Sequence, residues 1–212
     1  MLKDQEDVYY YITLMNENYP HPAMPAGAEE GICRGMYLLR ESTVMKPATK
    51  VQLLGSGTIL REVIAAADLV EQDFGVAADI WSCPSFTELR RDGMAVERWN
   101  LLHPAQTPRK SYVEQCLTAR NGPVIASTDY LRAFAEQIRP HITTRYICLG
   151  TDGFGRSDYR KALRNFFEVD RHYVAVAALK ALADDGALPM QKVTEAIAKY
   201  RIDVERAPPW KT

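Results

Sequence analysis

The 212-residue sequence lacks the features that mark nucleic-acid-binding and membrane proteins. Its net charge is −1, which gives no electrostatic basis for binding nucleic acid or an anionic membrane surface. No apolar run approaches the roughly 18 to 20 residues that span a bilayer. The acidic first seven residues lack the apolar core of a signal peptide. We therefore expect neither nucleic acid nor a membrane as a partner.

Cysteine and histidine are too few and too scattered to indicate a metal site or a disulfide framework. There is no CxxC pair and no HxxH or HExxH pattern. The residues concerned are Cys33, Cys83, Cys116 and Cys148, and His21, His103, His141 and His172. A reduced, cytoplasmic protein without a metal site of its own is the expectation.

Catalytic motifs are also scarce. No GxSxG elbow occurs, and the adjacent acids Glu29-Glu30 and Asp184-Asp185 point in different directions on a helix, which favours solvated surface. Gly55-Ser56-Gly57 supplies two glycines of a dinucleotide fingerprint, but Leu60 stands where the third would be. A nucleotide- or S-adenosylmethionine-dependent enzyme using that turn is a weak alternative to a tight turn of small residues.

The stretch GTDGFGRSD, residues 150–158, is the most distinctive loop in the sequence. It contains no lysine for a P-loop, and its acid spacing does not match an EF-hand. The pattern instead predicts a loop after a strand, with Ser157 capping the next helix. We expect Asp152 and Arg156 to serve folding or a subunit contact.

Apolar strands alternate with amphipathic helices along most of the chain. Strands are predicted at 51–54, 76–81, 123–126 and 145–149. Helix starts are predicted at Ser85, Asp129 and Asp170, with a last helix opening at Pro189 and a helix end at Gly186. This alternation predicts an α/β fold, a three-layer, mainly parallel sheet with helices on both faces.

The N-terminal region does not follow this alternation. Residues 8–13 are β-branched and aromatic and predict a strand, whereas residues 18–27 contain three prolines and a glycine and predict an extended connector. A lone strand cannot bury itself. Two interpretations stay open: a fragment of a longer protein, or a free-standing binding or assembly module.

Longer stretches identify a family. The segments VYYYITLMNENYPHPAMPAGAEEGICRGMYLL (8–39), KVQLLGSGTILREV (50–63), ASTDYLRAFAEQIRP (126–140) and LGTDGFGRSDYRKALRNFFEVD (149–170), with SFTELRRDG and ERWNLLHP between them, are distinctive. The chain resembles the C-terminal portion of the homodimeric pyruvate dehydrogenase decarboxylating component, over essentially all 212 residues.

This resemblance implies a transketolase C-terminal-domain-like fold over residues 48–212. Residues 1–47 would be the end of the family's middle domain plus the proline-rich connector. In the family, the full-length enzyme decarboxylates pyruvate on thiamine diphosphate with Mg²⁺ and passes the acetyl unit to lipoyl groups. The implied partners are a second copy, as a homodimer, and the dihydrolipoyl acetyltransferase component.

No catalytic, cofactor-binding or metal-binding residue of the family transfers to this sequence. The family's GDG…NN motif holds the diphosphate and Mg²⁺, and Gly150-Thr151-Asp152-Gly153 does not match it. We therefore expect this fragment to be inactive alone and to bind neither thiamine diphosphate nor Mg²⁺. Two alternatives remain: a non-catalytic assembly or dimerisation module, and the equivalent component acting on another short 2-oxo acid.

Overall fold

The computed structural model describes residues 3–12, 17–45 and 49–211. Within these ranges one sheet contains the strands Tyr37–Arg40 (β1), Lys50–Gly55 (β2), Ala77–Ser82 (β3), Val124–Ser127 (β4) and Tyr146–Leu149 (β5). The α-helices are Glu29–Arg34 (α1), Leu60–Phe74 (α2), Phe86–Leu102 (α3), Tyr112–Leu117 (α4), Arg132–Glu136 (α5), Arg160–Phe166 (α6), Arg171–Asp184 (α7) and Met190–Lys199 (α8). None of these helices is long and apolar enough to cross a membrane.

The sheet has the order β1-β3-β2-β4-β5. Strands β2 to β5 are parallel, with Gln52 beside both Asp79 and Val124, whereas β1 joins β3 antiparallel at the edge. The chain leaves β2 in one direction to form β3 and returns to the other side of β2 to form β4. The strand order therefore reverses between β2 and β4.

Helices cover both faces of the sheet, as the sequence predicts. Val51, Leu53 and Ile80 face the layer built from α2, α7 and α8. Leu54 and Trp81 face the layer built from α3, α4 and α5. Alternate residues of β2 thus enter opposite cores, which is the expected pattern for a strand that is buried on both sides.

Two of the predicted helix caps are present. The Ser85 side chain accepts a hydrogen bond from the Glu88 amide at 3.1 Å, and Asp170 accepts from the amides of His172 and Tyr173. Both caps satisfy amides that have no partner inside their helix. Gly186 follows α7 with φ of 73°, and α8 starts directly after Pro189, as predicted.

Two other predicted caps are wrong. Asp129 does not cap α5, because the Asp152 carboxylate accepts the hydrogen bond of the Arg132 amide at the start of that helix. Ser157 does not cap α6, which begins at Arg160 without a side-chain cap. In both cases a capping residue stands close to the helix in sequence, but the chain turns before the helix begins.

The N-terminal prediction is also wrong in part. Residues 8–12 form no strand and are exposed, with Tyr9 88% and Tyr11 87% accessible, and Thr13 lies outside the described residues. The sequence pattern did not predict β1, which belongs to the main sheet. The proposed division between residues 47 and 48 stays a prediction, although Tyr37–Arg40 already pairs with β3.

Candidate functional site

A cleft lies at the carboxyl end of the parallel strands, beside the point where the strand order reverses. The loops after β2, β4 and β5 contribute Thr58, Asp129 and Thr151 to its walls. The cleft has a volume of about 290 Å³. Open α/β sheets bind ligands in this position because the loops diverge there. It is therefore the candidate functional site.

The glycine turn after β2 is required by close packing. A Cβ on Gly55 would lie 2.8 Å from the Cα of Leu60 and 3.1 Å from Val63, so no larger residue fits between β2 and α2. This supports the interpretation as a tight turn of small residues. The close strand–helix approach comes from Gly55 itself, without a third glycine.

Asp129 occupies the place above this turn where a phosphate would have to bind. A Cβ on Gly57 would be 3.5 Å from the Asp129 carboxylate, which accepts a hydrogen bond from the Thr58 hydroxyl at 3.0 Å. Phosphates bind at helix starts because the amides there are free. A carboxylate in that position disfavours a nucleotide phosphate, so the weak alternative of nucleotide binding at this turn gains no support.

The loop of residues 150–158 forms the outer rim of the cleft. Gly153 and Gly155 have φ of 101° and 74°, which places Phe154 at a fully exposed tip between two residues that only glycine suits. Asp152 points inward and accepts from the Arg132 amide at 3.0 Å, with the Arg132 Nε at 3.3 Å. Arg156 lies over the Phe166 ring at 4.5 Å. The contact of Asp152 is thus a folding contact within this chain.

A buried ion cluster that the sequence pattern does not predict lies beneath this rim. Glu62, in the first turn of α2, is only 4% exposed, which is rare for a carboxylate. Its carboxylate accepts from Arg171 Nε at 2.9 Å and Nη2 at 3.2 Å, from the Arg171 amide at 3.1 Å and from Arg164 at 3.1 Å. Glu62 therefore ties α2 to α6 and α7.

The electrostatics of this cluster favour the ionised carboxylate. Burial alone would raise the pKa of Glu62, but hydrogen bonds and charge from Arg171, with the charge of Arg164, outweigh burial and hold that pKa below its ordinary value. The same interactions raise the pKa of Arg171. Glu62 is therefore held ionised between the two guanidinium groups of Arg164 and Arg171.

The N-terminal connector is held against the same end of the molecule. Glu17 forms an ion pair with Arg160 at the start of α6. Tyr19 lies under the Arg61 guanidinium at 4.2 Å, and its hydroxyl is 3.4 Å from Arg164. Glu17 and Tyr19 therefore lie beside α2 and α6 at the carboxyl end of the sheet.

A second buried cluster closes the opposite, amino end. The Asp79 side chain is inaccessible, and hydrogen bonds and charge from Lys50, Ser42 and Gln52 outweigh its burial and hold its pKa below the ordinary value. Four groups contact the carboxylate: Lys50 at 2.8 Å, the Ser42 amide at 3.0 Å, Gln52 at 3.2 Å and Arg120 at 3.3 Å. Asp79 therefore joins the segments that precede β2 and β4 to β3.

The remaining candidates from the sequence do not form a reactive site. Across the described ranges no three histidine, cysteine or acidic residues lie close enough to hold a metal ion. The cysteines are free, and burial raises the pKa of Cys83 and raises that of Cys148 to about 12, which keeps both thiols protonated. Asp184 and Asp185 make separate surface ion pairs with Lys180 and Arg145.

The residues present do not fit the diphosphate and Mg²⁺ of a thiamine diphosphate site. Asp152, the acid of the loop that most nearly matches the family motif, is engaged with the backbone and guanidinium of Arg132. Magnesium needs carboxylate oxygens that are free to coordinate it. No step through that cofactor is assigned to this chain, and its inability to bind the cofactor stays a prediction.

Known proteins match this chain closely. It is 63% identical over 209 residues to "Pyruvate dehydrogenase E1 component" of Cupriavidus necator, covering 99% of this chain and 23% of that protein. The proteins of the same name from Pseudomonas aeruginosa and Escherichia coli K12 are 65% and 54% identical, with 24% and 23% of their lengths covered. A solved transketolase from Leishmania mexicana aligns at 19% identity with TM-score 0.47, over 73% of this chain and 19% of that one.

The three matches to pyruvate dehydrogenase E1 components confirm the family resemblance that the sequence segments indicate. The chain spans about a quarter of the length of the curated relatives it matches. The model of the family described as "Transketolase-like TK C-terminal domain" matches residues 35–170, which include all five strands of the sheet. The chain therefore belongs to the transketolase-like C-terminal domain family.

Proposed function

We propose that this chain acts as the C-terminal part of the decarboxylating, acetyl-transferring component of a pyruvate dehydrogenase complex. The observation that carries the proposal is the 63% and 65% identity over nearly the whole chain to two proteins named pyruvate dehydrogenase E1 component. In that enzyme, pyruvate loses CO₂ on thiamine diphosphate and the acetyl unit passes to a lipoyl group. The substrate, activity and partners are part of the proposal.

In this proposal the chain has a structural role and contributes no catalytic residue. Thiamine diphosphate and Mg²⁺ would be held by preceding parts of the longer enzyme, and this segment would build the dimer and shape the surroundings of the active site. Asp152 supports this division, because its carboxylate is committed to Arg132 at the start of α5. We expect the chain alone to be inactive.

The proposed contacts are with the preceding domain, a second copy and the dihydrolipoyl acetyltransferase. Exposed large apolar residues commonly mark contact surfaces. Residues 8–12 are such a segment, with Tyr10 71% and Ile12 73% exposed. We propose that residues 1–47 complete the middle domain and its connector, and that 48–212 form the C-terminal domain. The bacterial relatives favour a cytoplasmic location.

A chimeric enzyme tests the proposal. The matched C-terminal quarter of the Pseudomonas aeruginosa protein, 65% identical to this chain, is replaced by residues 1–212. With the other components of that complex added, pyruvate-dependent NAD⁺ reduction is measured. We expect activity comparable to the parent enzyme, because the inserted chain is 65% identical to the quarter that it replaces.

Two controls make the outcome decisive. The parent protein without its C-terminal quarter should be inactive, and this chain alone should show no heat of binding to thiamine diphosphate with Mg²⁺. A chimera that is folded and dimeric but does not turn over pyruvate would contradict the proposal. Running the assay with 2-oxobutyrate as well distinguishes pyruvate from other short 2-oxo acids.

A further inference from the structure

The outer face of α3 presents three exposed apolar side chains. Met94, Leu101 and Leu102 are each more than half exposed. Their spacing places them on one side of the helix, and the exposed Arg98 lies between them. Single exposed apolar residues are ordinary on a protein surface, but a cluster of them on one helix face commonly marks a contact with another molecule.

Positive charge surrounds these apolar residues. Residues 98–110 contain three cationic residues and no acid, a local charge of +3 in a chain whose net charge is −1. The cationic residues are Arg98, Arg109 and Lys110. Among the described residues no carboxylate forms an ion pair with any of these three side chains. The acids nearest in sequence are engaged elsewhere, since Glu97 pairs with Arg90 at 3.3 Å and Glu114 belongs to the cap of α4.

The loop that carries Arg109 and Lys110 is ordered although it is exposed. The Asn100 side chain accepts from the Arg109 amide at 2.8 Å and donates to the Arg109 carbonyl at 3.0 Å. The Trp99 ring stacks on His103 with the ring centroids 4.5 Å apart, and the Arg109 guanidinium lies over Trp99 at 3.9 Å. A loop that is already ordered loses little conformational entropy when a partner binds.

These features favour a protein segment over a membrane as the occupant of this surface. Anionic membranes are recognised by clusters of about four to eight Lys or Arg residues, and this surface has three. A short segment with acidic and apolar residues matches both components of the surface. Its apolar side chains can cover the leucines while its carboxylates reach the surrounding cations.

We propose that the outer face of α3 and the loop 103–110 form a docking surface for an acidic, amphipathic segment of a partner protein. The apolar side chains of that segment would pack on Leu101 and Leu102, and its carboxylates would pair with Arg98 and Lys110. No described acid of this chain has to be displaced from these cations first. None of these residues lines the cleft at the carboxyl end, so the proposal is independent of that site.

NMR on the 212-residue chain tests this proposal. The probe is the model peptide EELLEELLEELL, which combines acids and leucines. The chain contains three tryptophans, so the indole N–H resonances are few and can be assigned individually. The peptide should shift the resonance of Trp99 and leave that of the buried Trp81 unchanged. Binding should weaken several-fold when NaCl is raised from about 50 to about 300 mM, because salt screens exposed charges.

Two double variants separate the contribution of charge from that of apolar contact. Arg98→Gln with Lys110→Gln should weaken binding by about tenfold, through the loss of two exposed ion pairs. Leu101→Ser with Leu102→Ser should weaken it by about tenfold or more, because less apolar surface is buried. Asn100→Ala removes no charge but releases the loop, and it should weaken binding by about threefold.

The matched control is Lys161→Gln with Arg201→Gln, which removes two charges from exposed positions in α6 and after α8 and should not change the affinity. The peptide EESSEESSEESS, which keeps the acids but lacks the leucines, should bind more weakly than the probe. The proposal is overturned if the probe leaves the Trp99 resonance unshifted, or if the control variant weakens binding as much as the variant of Arg98 and Lys110. Tighter binding to phosphatidylserine vesicles than to the probe would also overturn it, since the surface would then recognise lipid.

Discussion

The two ends of the sheet are built differently. At the amino end, Asp79 is inaccessible and is contacted by four groups from β2 and the adjacent loops. At the carboxyl end, a buried cluster around Glu62 holds the helices, but the loops above it expose Phe154 completely and enclose an open cleft. The amino end is closed by its own residues, whereas the carboxyl end presents aromatic and cationic groups to its surroundings.

This difference indicates a division of labour within the domain. Buried and fully paired charges fix a structure but leave nothing for a partner to bind. Exposed aromatic residues do the reverse, because their apolar surface is stabilised when another molecule covers it. We therefore assign stability mainly to the amino end and contacts mainly to the carboxyl end.

Asp79→Ala should produce the largest loss of stability. Removing the carboxylate leaves Lys50 and Arg120 without their buried partner and the Ser42 amide without its acceptor. Breaking a buried ion pair costs about 3–5 kcal/mol. The free energy of unfolding, measured by urea denaturation, should fall by that amount. A loss of less than 1 kcal/mol in the free energy of unfolding would contradict the assignment of stability to the amino end.

Glu62→Gln should be the next most damaging change, at about 2–4 kcal/mol. Glutamine keeps the shape of the side chain but leaves Arg164 and Arg171 uncompensated, and Arg171 is partly exposed, so water reduces the penalty. Urea denaturation measures this loss in the free energy of unfolding. Arg171→Gln is the matched partner variant, and the double variant should cost less than the sum of the two single changes if the groups interact directly.

Acid should weaken the wild-type chain through the same two clusters. The pKa values of Asp79 and Glu62 are lowered in the folded chain, so their contribution is complete above the ordinary carboxyl range near pH 4. It is lost as the pH falls below that range toward the folded-state values, by on the order of 2 kcal/mol. Urea midpoints between pH 7 and pH 3 measure this, and Glu62→Gln should show a shallower dependence.

Asp152→Ala should have a smaller effect, because it removes a helix cap at the carboxyl end. Such caps contribute about 1 kcal/mol. The melting temperature should fall by a few degrees, and the Arg132 amide should exchange its hydrogen faster. An unchanged melting temperature together with unchanged exchange at Arg132 would show that the cap does not stabilise α5.

Phe154→Ser should have the smallest effect on the isolated chain, within about 0.5 kcal/mol, because the ring is fully exposed. Thermal denaturation measures the change. A destabilisation above 1 kcal/mol would show that the ring is buried in solution and that the carboxyl end is less open than the structure indicates.

The sequence pattern predicted the fold well wherever local signals act alone. The apolar runs of β2 to β5 and the caps at Ser85 and Asp170 depend on neighbouring residues, so they could be read in order along the chain. Strand β1 could not be predicted in this way, because Tyr37–Arg40 is short and pairs with β3, about 40 residues further along the chain. The exposed segment 8–12 has strand-forming residues but no described strand to pair with.

The candidate site was less predictable, because it is built from distant residues. Asp129 and Ser157 have the chemistry of caps, yet the carboxylate that accepts from the Arg132 amide belongs to Asp152, 20 residues further along the chain than Arg132. Glu62 gave no signal, since an acid beside Arg61 fits an exposed helix face. Asp79 does have a sequence signal, because a charged residue inside the apolar run 76–81 requires a buried partner.

Hydrogen–deuterium exchange on the chain alone and on the same residues within the chimeric enzyme tests the division between the two ends most directly. We predict that amides of residues 8–12 and 150–159 exchange at least about tenfold more slowly in the chimera, since a partner then covers them. Amides around Gln52 and Asp79 should exchange equally slowly in both. Equal exchange of residues 8–12 and 150–159 in the two proteins would contradict the assignment of contacts to the carboxyl end.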